Sequence, residues 1–246
     1  MVKQVFLVAA LLVGLMGCES EENTQSGPLR MSIYGEDFIE VGIPAEEMSD
    51  GWAVTFDKFE VTLAEAKIAG LVKDGPLTFD LAEASNGEGQ DVLSGVVVAR
   101  EHNDAEYTII KVYTEGSATK DNVTKTFQWT FDLFFHYSEC ETGVHVVPET
   151  ESTFQITIHG DHLFYDSLVS EEPSLVFQPF ADADTDADNT ITQEELEAAG
   201  IGGLDPGNAD PQNLWDWLNL QVPTVGHANG ESHCLAHDHS GNSKAE

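Results

Sequence analysis

Positive charge is scarce in this sequence. Its 246 residues hold 10 Lys and Arg against 44 Asp and Glu, a formal charge of −34 at pH 7. Nucleic acid is excluded as a partner, because a phosphate backbone is held by Lys and Arg clusters and none occurs here. A basic membrane-surface patch is excluded on the same ground. Cysteine is scarce too. Three residues are too few for a disulfide scaffold, and the odd count needs an explanation. No apolar run reaches the about 20 residues of a membrane-spanning helix. G-x-S-x-G, P-loop, H-E-x-x-H and dinucleotide-binding glycine patterns are missing, and no internal repeat is visible. What is present is 41% apolar and 9% aromatic residues, enough to bury a core. The favoured small partners of so acidic a surface are cations.

Residues 1–17 (MVKQVFLVAALLVGLMG) combine a positive start at Lys3 with an apolar run from Val5 to Met16. These are the proportions of a signal peptide. Leu15-Met16-Gly17-Cys18 resembles the bacterial lipobox, which implies that Cys18 is lipidated and becomes the first mature residue. The resemblance implies an exported protein of the bacterial cell envelope, in the periplasm or at the outer membrane, held by acyl chains that suffice for stable membrane attachment. Residues 18–29 are polar and acidic and read as a flexible tether. With Cys18 given to lipid, Cys140 and Cys234 remain, and an oxidising compartment predicts that they pair.

Residues 30–160 read as strands. Trp52, Val54 and Phe56, then Phe59, Val61 and Leu63, alternate with one slip that predicts a bulge. Further strands are expected at Val92–Val98, Tyr107–Tyr113, Lys125–Phe135 and Glu151–His159. Breaks are expected at Lys73–Pro76, Ser85–Gly87 and Lys120–Asn122. The predicted fold is mainly β with α, a β-sandwich-like domain followed by a small helical subdomain over 161–225. In that subdomain Asp161–Val169, Ser174–Phe180, Thr192–Ala199 and Pro211–Leu220 carry helical patterns. Residues 226–246 read as a His-rich tail.

Residues 184–195 (DTDADNTITQEE) are in EF-hand register. Asp184, Asp186 and Asp188 stand at positions 1, 3 and 5, with Thr190 at 7, Thr192 at 9 and Glu195 at 12. Ca²⁺ takes six to eight hard oxygens, and alternating carboxylates in a tight turn converge on one point. Asn189 stands where glycine is usual, and Ile191 supplies the apolar anchor. Thr192 and Glu195 also form a capping box for a helix ending at Gly200. A dockerin-type loop is the alternative, but a single loop closed by Glu195 favours the EF-hand. A single hand with a stubby incoming helix suits a static, stabilising site.

The sequence has nine histidines. If Cys140 pairs with Cys234, His233 is held near the folded body, with His136 and His145 close by. His159, His162, His227 and His233, with Asp161, then form a plausible Zn²⁺ or Cu²⁺ site. Local structural roles for His159 and His162 are the competing reading, and His237 and His239 are expected in the loose tail.

Asp50-Gly51-Trp52, His159–Phe164 (HGDHLF) and Asp184–Glu195 together resemble uncharacterised exported bacterial proteins that join a β domain to an EF-hand loop. The β part alone is similar to methanobactin-associated copper-binding periplasmic proteins, a similarity that transfers no copper ligand to this chain. Three functions are thus expected in order: a non-catalytic, calcium-stabilised exported lipoprotein; a transition-metal protein built on the histidines; and, third, a metal-dependent hydrolase.

Overall fold

The computed structural model describes residues 25–238. The expected signal segment 1–17, Cys18, most of the expected tether and His239 lie outside them. The strands are β1 (Ser26–Gly35), β2 (Ala53–Ile68), β3 (Leu71–Asp80), β4 (Gln90–Val98), β5 (Glu101–His102), β6 (Glu106–Lys120), β7 (Val123–Ser138), β8 (Val144–His145), β9 (Ser152–Ile158), β10 (Thr190–Ile191), β11 (Gly226–Ala228) and β12 (Leu235–Asp238). The α-helices are α1 (Asp37–Glu40), α2 (Gln178–Ala181), α3 (Gln193–Ala198) and α4 (Leu214–Gln221). None is long and apolar enough to cross a membrane.

The protein is mainly β, with several sheets and a small helical part. One sheet runs β11-β9-β1-β4, with β1 and β9 parallel. The larger runs β10-β7-β6-β2-β3, with β12 added to β7. Both sheets feed one hydrophobic core, from Met31, Ile33 and Phe154 on the first to Phe59, Val61, Leu63 and Trp129 on the second. The expected slip in β2 is a bulge: the register with β6 shifts between Phe56 and Lys58, which returns Phe59 to the buried face. The β6–β7 hairpin turns at Asp121 and Asn122, whose φ of 51° and 64° suits short side chains that tolerate left-handed backbone.

Aromatic stacking fastens the helical part to the larger sheet. Phe127 and Trp129 of β7 stack at 4.5 Å, and Phe164, Phe177 and Phe180 pack around them. Phe131 stacks on Trp215 of α4 at 4.7 Å. Asp50 caps the chain before α2, its Oδ2 accepting from the N–H groups of Phe177 and Gln178.

Four expectations are corrected. Ser26–Leu29, assigned to the tether, belong to β1, which pairs along β4 and β9. Lys73–Pro76 is no break, since β3 continues through it while the register with β2 shifts between Leu63 and Glu65. Residues 161–180 are helical only at a 3₁₀ turn (Asp161–Phe164) and at α2, with short bridges holding the stretch between them. Most of the expected C-terminal tail is ordered. β11 joins the first sheet, β12 pairs with Phe135–Ser138, and a disulfide joins Cys140 to Cys234.

Candidate metal centre

Glu36 and His159 follow the ends of the parallel neighbours β1 and β9, whose last paired residues are Gly35 and Ile158. The two side chains therefore emerge together, with Glu36 Oε1 3.1 Å from His159 Nδ1. β11 pairs with β9 on its other edge, setting His227 beside Thr157. The 3₁₀ turn after β9 folds His162 back over the same place. Ring centroids lie 5.2 Å apart for His159 and His162, 4.2 Å for His159 and His227, and 5.0 Å for His162 and His227. His233 joins from the β11–β12 loop, 4.8 Å from His227. All four histidines expected from the sequence converge.

β11 reaches this position by lying on a stacked tyrosine pair. The rings of Tyr107 and Tyr137 are 4.7 Å apart and 8° from parallel. Burial raises both phenol pKa values, so each stays a neutral donor. Tyr107 Oη donates to the His227 carbonyl and Tyr137 Oη to that of Pro223. At Gly226 a Cβ would sit 2.7 Å from the Tyr137 ring, so the close approach requires glycine.

A hydrogen bond fixes which nitrogen of His162 is bare. The Thr224 hydroxyl donates its only proton to the Gln221 carbonyl, so it accepts from His162 Nδ1–H. That leaves a lone pair on His162 Nε2. Glu36 Oε1 stands 3.1 Å from His159 Nδ1 as an ion pair, outside hydrogen-bond geometry, and His159 Nε2 donates to the Gly230 carbonyl at 3.3 Å, a bond that a metal would displace. A carboxylate behind a histidine is the usual support of a metal-binding imidazole. His227 Nδ1 is buried without a hydrogen-bond partner, and so is Asp161 Oδ1. The other Asp161 oxygen accepts from Tyr165 Oη.

Burial pushes the His162 pKa down to about 4. Burial and the neighbouring imidazoles push His227 down to about 3. Both rings are therefore neutral, the form that binds metal. For His159 burial acts downward, but Glu36 outweighs it and the pKa is raised. Burial, against the pull of His159, lifts Glu36 to about 7. Two ligand sets have their atoms within 4.8 Å of one another: His159, His227 and Glu231, and His159, Asp161 and His162. His159 belongs to both. A cavity of about 540 Å³ adjoins the cluster, with His162, His227 and His233 on its wall.

His136 and His145 do not join. His136 faces Glu106 and Thr108, and His145 faces Glu101. His237 lies on exposed β12. Sequence reasoning missed Glu36, Thr224 and Glu231. No local motif marks them, because only the β1–β9–β11 pairing brings them in.

The 184–195 loop forms a separate acidic cluster. Oxygens of Asp184, Asp186 and Glu195 lie within 4.8 Å of one another. Asn189 has φ of 69°, as its place in the turn requires. Ile191 is buried and β10 pairs with Thr126 and Phe127. Thr192 and Glu195 make the expected capping box. The Asp184 side chain is fully buried. One oxygen meets Lys125, which holds its pKa low, and Oδ1 is unpartnered. Asp188 stands outside the triplet, its Oδ1 accepting from Thr190 N at 2.7 Å, and Asp186 accepts from Asp188 N.

Comparison with known proteins gives no further handle: no family model, no curated protein and no solved structure matches the chain.

Proposed function

We propose that this is an exported, lipid-anchored metal-binding protein of the bacterial cell envelope, with two unlike sites. His159 is the shared ligand of a transition-metal site for Cu²⁺ or Zn²⁺, which His227 with Glu231 and His162 with Asp161 complete from its two sides, with His233 at the margin. The 184–195 loop binds Ca²⁺ and stabilises the fold. The observation that carries the first site is the bare, buried Nδ1 of His227, on a ring 4.2 Å from that of His159 and 5.0 Å from that of His162. A buried polar atom without a partner is costly, and a metal ion would remove that cost. Support for export comes from residues 1–18 and from the Cys140–Cys234 bridge, which belongs to an oxidising compartment.

Mass spectrometric metal analysis of protein purified without an affinity tag tests the reading. About one Cu or Zn per chain is expected, and a chain free of both that also takes up neither on titration overturns it. Thr224→Val and Glu36→Gln should each weaken that metal by about 10- to 100-fold, because each loosens a ligand ring. Competition against a chelator of known affinity reads this directly, and an unchanged constant in both variants would remove the proposed support.

The calcium site has its own test. Occupancy well above Kd adds about 1–3 kcal/mol. For a chain of this size that is a rise in Tm of about 2–12 °C. Melting the protein with and without added Ca²⁺ should show the rise in the wild type and lose it in Asp184→Asn. Identical midpoints in the wild type would sink it.

A further inference from the structure

The proposed histidine centre is one-sided. His159, His162 and His227 approach from the end of β9, the following 3₁₀ turn and β11, all within the protein wall. His233, which would have to close the shell, is 73% exposed at its side chain, with Nδ1 3.9 Å from Glu141. Opposite the wall lies the cavity of about 540 Å³. Its volume is that of a small-molecule site rather than of a few waters. Three protein ligands beside an open position is the arrangement of metal centres that bind an outside molecule.

The lining limits what that molecule is. Glu171 and Glu231 contribute carboxylates, and among the described residues no Lys or Arg side chain lines the cavity. A carboxylate or phosphate ligand would meet like charge with no compensating cation. Tyr165, whose ring stands 4.6 Å from His162, and Leu168 supply flat and apolar surface for an organic body. Aromatic faces and carboxylates together favour cations.

We propose that the metal held at this histidine centre keeps a coordination position open toward this cavity, and that the position takes a neutral or cationic small molecule with a nitrogen donor. The inference rests on the transition-metal reading above. The metal accepts the nitrogen lone pair, the carboxylates face any ammonium group on the same molecule, and no bond is broken.

A pyridine series holds the donor constant while the charge of its arm changes. The Cu²⁺-loaded full chain is titrated with pyridine, 3-(aminomethyl)pyridine and nicotinate, reading the visible d–d band and the electron paramagnetic resonance spectrum. All three should shift the spectra saturably if they reach the metal, with 3-(aminomethyl)pyridine at least about tenfold tighter than nicotinate. Glu171→Gln should narrow that ratio. Leu168→Trp, which fills the cavity, should weaken all three while Cu²⁺ stoichiometry stays that of the wild type. Spectra indifferent to every pyridine in a chain that does hold Cu²⁺ would overturn the open position. Nicotinate binding as tightly as its cationic counterpart would overturn the assigned ligand class. Failure to take up Cu²⁺ or Zn²⁺ at all defeats the underlying metal site instead.

Discussion

His227→Ala is expected to cost the protein its stoichiometric transition metal, with affinity falling about 100-fold or more. The reason is geometric. His227 sits in the middle of the cluster, within 5.0 Å of each of the other three rings, and its Nδ1 has no other use. The substitution spares the fold, because the bond from Tyr107 goes to the residue-227 carbonyl and β11 pairs through its backbone. His145→Ala is the matched control: that ring is exposed and engaged with Glu101, so metal affinity should stay unchanged. Isothermal titration of the apo protein with Cu²⁺ and Zn²⁺ separates the two variants. Equal affinity in wild type and His227→Ala would mean that metal sits elsewhere.

The second large effect concerns the bridge. Serine at both Cys140 and Cys234 should lower stability by about 2–5 kcal/mol, since the bond closes a loop with a sequence separation of 94 residues. At about 2–4 °C per kcal/mol, Tm should fall by about 4–20 °C. The bridge does a local job as well. Cys234 follows His233 directly, and Glu141 N–H donates to the His233 carbonyl at 2.9 Å. Differential scanning calorimetry of the double variant reads the stability loss. A midpoint within a degree of the wild type would show that β12 and its neighbours hold this end unaided.

How much of this was legible in the sequence depends on how local each signal is. The bulge after Phe56, the Asp121–Asn122 turn and the Thr192–Glu195 capping box are written in adjacent residues, and all three form. The four histidines were nameable because the His159–His162 pair is local and a single bridge places the C-terminal pair. Strands made by pairing were not legible. Ser26–Leu29 is polar at its start and joins β1 because β4 and β9 flank it. β11 and β12 are only three and four residues long, too short to show a period, and exist because β9 and β7 offer them open edges. Of the helical patterns after His159, Thr192–Ala199 and Pro211–Leu220 formed α3 and α4, while Asp161–Val169 and Ser174–Phe180 shrank to a 3₁₀ turn and α2 for the opposite reason. Their apolar residues are the large aromatics Phe164, Phe177 and Phe180, spent on the core around Phe127, and Pro173 and Pro179 limit helix growth.

β7 carries one more consequence. β6 covers one of its edges along nearly the whole of Val123–Ser138. On its other edge β10 covers Thr126–Phe127 and β12 covers Phe135–Ser138. A bare strand of 16 residues would be a template for a second copy of the chain. The two segments that shield it are the acidic loop and the stretch next to the disulfide. On the calcium reading proposed above, loss of Ca²⁺ or reduction of the bridge would do more than loosen the fold: it would release Thr126–Phe127 or Phe135–Ser138 from their partners and extend the stretch of β7 able to pair with a second copy.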